Sequence, residues 1–323
     1  MELLKKLTRI NSPSGAEDEI CEFIKKEAEP FCDEIYSDAL GNLIAHKKGS
    51  GKKIMFAAHS DEIGIVVTFI DEKGFLRFSG IGGLSLRNLV GKKVCFTNGT
   101  IGVIATEQDN EKREIAKMYI DIGATSCGDA KKLVNIGDSA AFVGDFYIQG
   151  DNVISKALDN RIGCYVLIET MKRVKSDNDL YFVFTSQEEV GLRGARTSAY
   201  SINPDYAISV DITGTGDTPN CAKMAVELGK GTAIKVMDHS VITSKLVREK
   251  LISIAEENDI KYQLEIMTEG GTDAGVIHFT RSGVLVGGLS VPTRYIHSPS
   301  EMESIEDIKA TIELATLFAE NIK

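Results

Sequence analysis

Two adjacent carboxylates follow directly after an apolar run in the middle of the sequence. Residues 180–184 have the composition of a buried strand, and the segment TSQEEVG at 185–191 contains Glu188 and Glu189. A single acid there could be a solvated loop residue. Two acids at the end of a core strand require a positively charged partner, because an unpaired buried charge is costly. The pair therefore indicates a site that holds cations.

Five further residues that could do chemistry lie at the ends of apolar runs, at the start of a helix or in a loop after a strand. His59 and Asp61 follow such a run in IMFAAHSDEIG, and Asp159 opens a predicted helix in SKALDNRIG. Asp211 follows the run in AISVDITG, and His297 lies in the loop RYIHSPSE. Ligands of α/β proteins bind at the carboxyl ends of strands, so we expect these side chains to meet. Imidazole and carboxylate donors without thiolate suit zinc, cobalt or manganese.

Each of these residues also has a purely structural explanation. Asp159 could be a helix N-cap, Asp211 could be a turn former, and the two glutamates could be surface acids. A histidine after a strand is often only a hydrogen-bonded structural residue. The joint occurrence of two histidines and at least three carboxylates at strand ends favours a metal site. The remaining histidines have no motif context and are predicted to be structural or surface residues: His46, His239 and His278.

The elements that must position the site alternate between strand-like and helical segments. This alternation is typical of an α/β fold with a mostly parallel central sheet flanked by helices. The spacing of apolar residues predicts helices at 17–28, 157–172, 193–200, 244–257 and 305–322. Apolar runs predict strands at 42–46, 54–58, 180–185, 206–210, 262–266 and 284–290.

Residues 65–150 have a different sequence pattern from the segments on either side. Short β-rich pieces alternate there with Gly, Asn and Asp turns, and no long amphipathic helix is evident. The pieces are VVTFI, FLRF, KKVCF, TIGVIA, KMYIDI and AAFV. The pattern predicts a small β-barrel-like domain inserted into the α/β fold. Residues 1–64 and 151–323 would then form one discontinuous catalytic domain around it.

The composition excludes several classes of function. The chain has 323 residues, of which 43% are hydrophobic, and a formal net charge of −10, which would repel a nucleic-acid backbone. No apolar run approaches the roughly 20 residues that span a bilayer, and the amphipathic start MELLKKLTRINS is unlike a signal peptide. The six cysteines form no CxxC pair and fit buried thiols in a reducing compartment. We therefore expect a cytoplasmic protein that binds neither nucleic acid nor membrane.

Six separated motifs resemble those of the di-metal aminopeptidases of the glutamyl-aminopeptidase and tetrahedral (TET) type, which are sometimes labelled cellulase M or endoglucanase. In order, the motifs are HSDEIG, ALDNR, SQEEVG, SVDITG, EGGTDAG and RYIHSPSE. The resemblance covers almost the whole chain, because LVGKKV, GTIGVIA, MYIDIGATS and NIGDSAAF look like the family's inserted β domain. Ser60 departs from the Met expected between His59 and Asp61. That position is not a ligand, so the difference bears only on the shape of the pocket.

The resemblance implies two divalent metal ions, with zinc and cobalt as the expected species. One ion would be held by His59 and Asp211. The other would be held by Glu189 and His297, and Asp159 would bridge both.

The resemblance also implies roles for the two remaining candidates. Glu188 would be the general base, and Asp61 would fix the tautomer of His59. A ligand carboxylate must stay ionised, so it cannot also shuttle a proton efficiently, and the two tasks need two adjacent acids. The implied reaction is hydrolysis of the N-terminal peptide bond of short peptides that have a free amino terminus.

The insertion contributes none of the implied ligands, and the resemblance gives it a role in assembly. Relatives pair through this domain, and the pairs build a hollow tetrahedral dodecamer with the sites inside. We therefore expect a homo-oligomer of about twelve subunits built from dimers, as the resemblance implies. The alternative is a lid that shapes the cleft of a dimer or monomer.

Two rival functions belong to other classes. A glycoside hydrolase of the endoglucanase type needs two carboxylates and no metal, which would leave His59, Asp211 and His297 without roles. A non-catalytic peptidase-like scaffold would have lost a ligand or the base, and none is lost here. The sequence leaves the preferred N-terminal residue and the native metal open.

Overall fold

A large mixed sheet and a small closed barrel contain the strands of the chain. The computed structural model describes residues 1–109 and 114–323. The helices of the described chain are α1 (Glu2–Arg9), α2 (Asp18–Ala28), α3 (Cys127–Ala130), α4 (Leu158–Arg173), α5 (Arg193–Ile202), α6 (Lys245–Glu257), α7 (Ala274–Ile277) and α8 (Ile305–Asn321). Within this described part, no helix is long and apolar enough to cross a membrane.

The strands are named in chain order. They are β1 (Glu34–Ser37), β2 (Leu43–Lys47), β3 (Lys53–His59), β4 (Gly64–Ile70), β5 (Leu76–Ile81), β6 (Lys93–Phe96), β7 (Ile101–Thr106), β8 (Met118–Asp121), β9 (Ser139–Phe142), β10 (Tyr147–Gln149), β11 (Asn152–Ser155), β12 (Asp179–Thr185), β13 (Tyr206–Thr213), β14 (Thr232–Met237), β15 (Tyr262–Ile266), β16 (Leu285–Arg294) and β17 (Glu301–Ser304).

The large sheet has the order β1-β2-β12-β3-β13-β16-β17-β11-β10, and β14 and β15 branch from β16. The neighbours β12, β3, β13 and β16 run parallel, whereas the pairings towards both edges are antiparallel. The predicted α/β fold is confirmed, but the sheet is mixed, and its parallel part is mainly the centre. The connections β1–β2, β10–β11 and β16–β17 are too short for a crossover, so they permit only antiparallel pairing.

The central strands are buried on both faces, which explains their continuous apolar runs. In β3, one core contains Ile54, Phe56 and Ala58, and the core on the opposite face contains Met55 and Ala57. Helices α4 and α8 contact the first face, and α5 and α7 contact the second. The sheet is thus covered by helices on both sides, as predicted.

The inserted region forms a closed antiparallel barrel with the order β4-β5-β8-β7-β6-β9. Each of the six predicted β-rich pieces overlaps one of these strands, so the barrel-like insertion is confirmed as a fold. β10, which lies inside the predicted 65–150 range, pairs with β11 in the large sheet instead. Its three residues are all exposed, so their sequence shows no pattern that would separate them from a barrel strand. Residues 110–113 of the predicted insertion lie outside the described residues.

Five strands of the large sheet have no counterpart among the predicted strands: β1, β10, β11, β14 and β17. β14 contains Lys235, which interrupts its apolar run, and the ammonium of Lys235 is fully buried in an ion pair with Glu265 of β15. A charged residue in a strand of only six residues interrupts the apolar pattern from which strands are predicted. The partner that neutralises the charge lies in another segment, so the sequence gives no sign that the lysine is buried.

Candidate metal centre

The predicted site residues lie at one edge of the large sheet. His59 is the last residue of β3, and Asp211 lies near the end of β13. Glu188 and Glu189 follow β12, and His297 follows β16. Because these four strands are parallel neighbours, their carboxyl ends meet at the same edge. The sheet therefore brings together residues that are far apart in the sequence.

Asp159 lies between the two histidines. Its Oδ1 is 3.1 Å from His59 Nε2, and its Oδ2 is 3.3 Å from His297 Nε2. The carboxylate does not cap helix α4, which has no side-chain cap at its start, and it is Asn160 Oδ1 that accepts a hydrogen bond of 3.0 Å from the N–H of Gly163. Asp159 is therefore free to face both imidazoles.

The potential ligand atoms form two overlapping groups. Those of His59, Asp159 and Glu189 all lie within 4.8 Å of one another, and so do those of His59, Glu188 and Asp211. Glu188, which is predicted to be the base, thus also lies among possible ligands, with its Oε2 3.9 Å from His59 Nε2. The assignment of each residue to a role stays a prediction.

The acids of the site are buried and close together. Burial raises the pKa of Glu189 to about 8, and the charge of Asp159 adds to this rise. Burial also raises the pKa of Asp211 to about 8 and that of Glu188 well above its usual range. Asp159 differs, because hydrogen bonds from both imidazoles outweigh burial and hold its pKa below the usual value. The site has more carboxylates than its two imidazoles could neutralise, even if both rings were protonated.

The pKa values of the two imidazoles are also raised, but by the neighbouring carboxylates and against the effect of burial. Burial lowers the pKa of His59, but the surrounding carboxylates, of which Glu188 is the strongest, outweigh burial and hold it well above its usual range. Burial likewise lowers the pKa of His297, and its hydrogen bond with Asp159 leads the effects that raise the pKa to about 10. Both rings lie in a strongly negative environment, which attracts cations.

The donor set fits divalent cations. Glu189 Oε1 is buried and has no hydrogen-bond partner among the described residues. An unpaired buried carboxylate oxygen is costly unless a cation neutralises it. Imidazole and carboxylate donors at these separations suit zinc, cobalt or manganese.

Asp61 supports the site through several contacts. Its Oδ1 accepts a hydrogen bond of 3.1 Å from the N–H of Glu188, and its Oδ2 accepts one of 3.2 Å from the N–H of Glu189. Ser14 Oγ donates to the same Oδ2 at 2.6 Å. His59 Nδ1 lies 3.1 Å from the carbonyl oxygen of Asp61 and 3.4 Å from its carboxylate. The carboxylate of Asp61 thus holds the backbone of both glutamates, and its carbonyl is the nearer partner of the imidazole.

Glu301 is a supporting residue that the sequence reasoning missed. It is 2% exposed, and its Oε1 accepts a hydrogen bond of 2.9 Å from the N–H of His297. Its Oε2 accepts one of 3.0 Å from the N–H of Asp159. The available signal was its position at the end of the motif RYIHSPSE, four residues after His297.

Asp273, in the motif EGGTDAG, was also missed. It is 1% exposed, and its Oδ2 accepts a hydrogen bond of 2.6 Å from Thr185 Oγ1. Its Oδ1 has no hydrogen-bond partner in the described part of the chain. Burial raises the pKa of Asp273 to about 6, and its charge in turn raises the pKa of Glu188. Asp273 is thus a further acid that acts on the electrostatics of the site.

The three histidines without motif context lie in different surroundings. His46 is buried, with its Nε2 2.7 Å from Asp179 Oδ1 and its ring stacked on Tyr181. His278 lies with its Nδ1 3.1 Å from the carbonyl oxygen four residues earlier. His239 is exposed, but it lines the cavity in front of the acids. Its loop carries no motif, so only the structure shows its proximity to the site.

A cavity of about 450 Å³ opens in front of the acids and histidines. Much of its outer wall is apolar or neutral. The wall residues that matter most for its chemistry are Leu192, Ile212, His239, Met267, Thr272 and Ile296. The space is large enough for a small ligand with one face on the acidic cluster.

Comparisons with known proteins agree with this geometry. The model of the M42 glutamyl aminopeptidase family matches residues 41–314. A putative aminopeptidase of Acetivibrio thermocellus is 55% identical over 317 residues, which cover 97% of this chain and 96% of that protein. The lysyl aminopeptidase of Pyrococcus furiosus is 33% identical, over 100% of this chain and 97% of that protein.

A solved structure of the Pyrococcus horikoshii TET1 peptidase, which can assemble into a tetrahedron or a large octahedral shell, superposes with a TM-score of 0.91. It is 36% identical, and the match covers 99% of each chain. Family, relatives and fold therefore agree: the chain belongs to the M42 glutamyl aminopeptidase family and is an aminopeptidase.

Proposed function

We propose that the protein is a metal-dependent aminopeptidase that removes the N-terminal residue of short peptides with the help of two divalent cations. The observation that carries the proposal is the position of Asp159, whose oxygens lie 3.1 Å from His59 Nε2 and 3.3 Å from His297 Nε2. A carboxylate that faces two imidazoles through separate oxygens has the arrangement expected of a bridge between two metal ions.

The remaining ligands follow from their position around this bridge. His59 and Asp211 would hold one ion, with His59 Nε2 3.8 Å from Asp211 Oδ1. Glu189 and His297 would hold the other, with His297 Nε2 3.5 Å from Glu189 Oε2. When bound, zinc or cobalt ions would supply Lewis acidity, which lowers the pKa of a water molecule and polarises the scissile carbonyl.

Glu188 is the proposed general base. Its side chain is 11% exposed, with Oε2 3.9 Å from His59 Nε2, and its backbone N–H is held by Asp61 at 3.1 Å. The carboxylate would accept a proton from the attacking water and return it to the leaving amine. Asp61 would act as a positioning residue, because it holds the backbone of Glu188 and Glu189 and lies against His59 Nδ1.

Peptides with a free N-terminus are the proposed substrates, as the names of the relatives indicate. Apart from the acids of the site, the described residues that line the cavity include no Asp, Glu, Lys or Arg. Away from the acids, which the proposed metal ions would neutralise, a charged side chain would lose hydration without gaining an ionic partner, whereas an apolar one would contact residues such as Leu192 and Met267. The cavity therefore favours a neutral, apolar N-terminal residue.

The protein is further proposed to form a homo-oligomer, built from dimers up to a dodecamer, in which the insertion pairs subunits. The TET1 peptidase of Pyrococcus horikoshii can assemble into a tetrahedron, and this chain has the same fold along its whole length. Large apolar side chains are exposed on both the barrel and the α/β domain, among them Phe69 (57%), Ile136 (59%), Ile242 (74%) and Phe279 (73%). Such exposure is typical of interaction surfaces.

The proposal is tested with leucyl peptides and their N-acetylated counterparts. The chain is stripped of metal with a chelator, assayed, and assayed again after reloading with zinc or cobalt. We expect no turnover without metal, recovery on reloading, and cleavage of the free peptides alone. Full activity of the stripped chain, or rapid internal cleavage of an acetylated peptide, would show that the proposal is wrong. Release of reducing sugar from a soluble cellulose by the stripped chain would support the glycosidase alternative instead.

A further inference from the structure

Two glycines of the inserted barrel lie against the acidic cluster of the α/β domain. Gly82 and Gly83 follow the last residue of β5. A Cβ atom added at Gly82 would lie 2.8 Å from Glu189 Oε2, and one added at Gly83 would lie 2.8 Å from His297 Nδ1 and 2.9 Å from its Cε1. Real Cβ atoms are essentially never found closer than 3.0 Å to such neighbours. The backbone of the barrel therefore occupies the space directly beside two proposed metal ligands.

We propose that the inserted domain is part of the metal centre, because the segment Gly82–Gly83 is a positioning element for Glu189 and His297. The inference rests on the proposed function, in which these two residues hold the same ion. It gives the barrel a task in the chemistry of each subunit, in addition to the proposed task in assembly.

The imidazole of His297 is confined between two surfaces. Its Nε2 faces Asp159 Oδ2 at 3.3 Å and Glu189 Oε2 at 3.5 Å. The adjoining ring edge, formed by Nδ1 and Cε1, faces Gly83. Within the described chain, no hydrogen bond to Nδ1 is found, and the side chain is 33% exposed. The ring thus contacts the acids at Nε2 and the backbone of the barrel along its Nδ1–Cε1 edge.

The structural reason for a glycine differs between positions 82 and 83. Gly82 has a φ of +74°, so a side chain there would strain the backbone as well as meet Glu189. Gly83 lies outside this left-handed range, so the approach to His297 is the main obstacle to a side chain. A methyl group at Gly83 therefore tests the contact with the ligand and little else.

The rest of the barrel keeps this segment in place. A Cβ at Gly82 would also lie 2.8 Å from Ile63 Cγ2, and Ile63 belongs to the apolar core of the barrel. The strand β4 begins at Gly64, directly after Ile63, and pairs with β5 up to Ile81. The packing of the barrel core is thus connected through a few residues to the position of the ligands.

The test uses the full chain with Gly83→Ala and the larger Gly83→Val. The control is Gly128→Ala, because Gly128 lies in α3 of the inserted region, has no left-handed φ, and a Cβ there meets only Ser126 Oγ at 3.8 Å. Affinities for Zn²⁺ and Co²⁺ are measured by competition with a chromophoric chelator, together with the visible absorption of bound Co²⁺. Melting of the metal-free chains shows whether each variant folds.

We expect Gly83→Ala to lower the affinity for one of the two ions by roughly 10–100-fold, the usual effect of disturbing a residue that supports a ligand. The affinity for the other ion should stay nearly unchanged. Gly83→Val should weaken it further, and the control should match the parent chain. Unchanged affinity for both ions would overturn the inference. A loss of affinity that is accompanied by a lower melting temperature of the metal-free chain would overturn it as well, because general destabilisation would then explain the loss. A parent chain that binds fewer than two ions would instead overturn the proposed function.

Discussion

The carboxylate of Glu301 accepts a hydrogen bond of 2.9 Å from the backbone N–H of His297. Its second oxygen accepts one of 3.0 Å from the backbone N–H of Asp159. One buried side chain therefore sets the distance between the backbones of two proposed ligands that are 138 positions apart in the sequence.

Glu301→Gln should weaken metal binding while preserving the fold. The amide can accept from one of the two N–H groups, but its NH₂ would face the other donor. We expect a loss of roughly 10–100-fold in affinity for at least one ion, measured by chelator competition. Glu303→Gln is the matched control, since Glu303 is also buried in β17 but bonds to Thr293 instead of a ligand. Equal effects of both variants would contradict the role given to Glu301.

Substitution of each of the two adjacent glutamates by glutamine should have a different effect. Glu188→Gln should retain both metals and lose roughly 10²–10⁴ in kcat, the usual scale for a general base. Glu189→Gln should instead lower the metal content, because Glu189 is a proposed ligand. Atomic emission and steady-state kinetics on the same samples decide between these roles. Near-normal turnover of metal-replete Glu188→Gln would show that another residue is the base.

The neutral wall of the cavity predicts selectivity for the first residue of the substrate. We expect kcat/KM for leucyl substrates to exceed that for glutamyl and lysyl substrates by at least about tenfold, because a charged side chain would be desolvated without a partner. Met267→Glu should raise the relative rate on lysyl substrates. Ile266→Glu is the control, since Ile266 is 55% exposed and is absent from the cavity wall. Comparable rates on all three parent substrates would contradict this prediction.

The ion pair between Arg294 and Asp217 should contribute to stability in a pH-dependent manner. Arg294 donates two hydrogen bonds, of 3.0 and 2.7 Å, and they lower the pKa of Asp217 to about 2. Because the folded pKa is below the unfolded value of about 3.9, the contribution is present above pH 4 and is lost as the pH falls towards 2. Asp217→Asn should cost about 1 kcal/mol at pH 7, since the pair is only partly buried. Urea unfolding from pH 7 to 3.5 should show the difference between the two chains shrinking.

Removal of the barrel should affect both assembly and the metal centre. Because β9 ends at Phe142 and β10 belongs to the large sheet, the replacement of 66–142 by a Gly/Ser linker is the appropriate deletion. We expect loss of the large particle in light scattering and weaker binding of one ion, since Gly82 and Gly83 are removed. A monomeric parent chain, or a deletion variant that still forms the full particle, would contradict the assembly role.

The sequence by itself determined which residues could form the site and most of the segments that form strands. His59, Asp211 and the two glutamates were recognisable because apolar runs precede them, and such runs are a local property of the chain. The six barrel strands were recognisable for the same reason, since their apolar pieces alternate with turn residues. The apolar pattern of a segment depends only on its own residues, so it can be read without knowing which other segments pack against it.

Only the tertiary structure decided which residues support the ligands and how the strands pair. Glu301 is marked in the sequence only by its place at the end of RYIHSPSE, and Gly83 only by its place after a strand, so neither contact with His297 could be inferred from the local sequence. The sequence allows Asp159 to be a helix cap, and only its surroundings show that its carboxylate faces two imidazoles instead of a helical N–H. Strand direction likewise depends on connections in space. These features arise from contacts between distant segments, which no local pattern records.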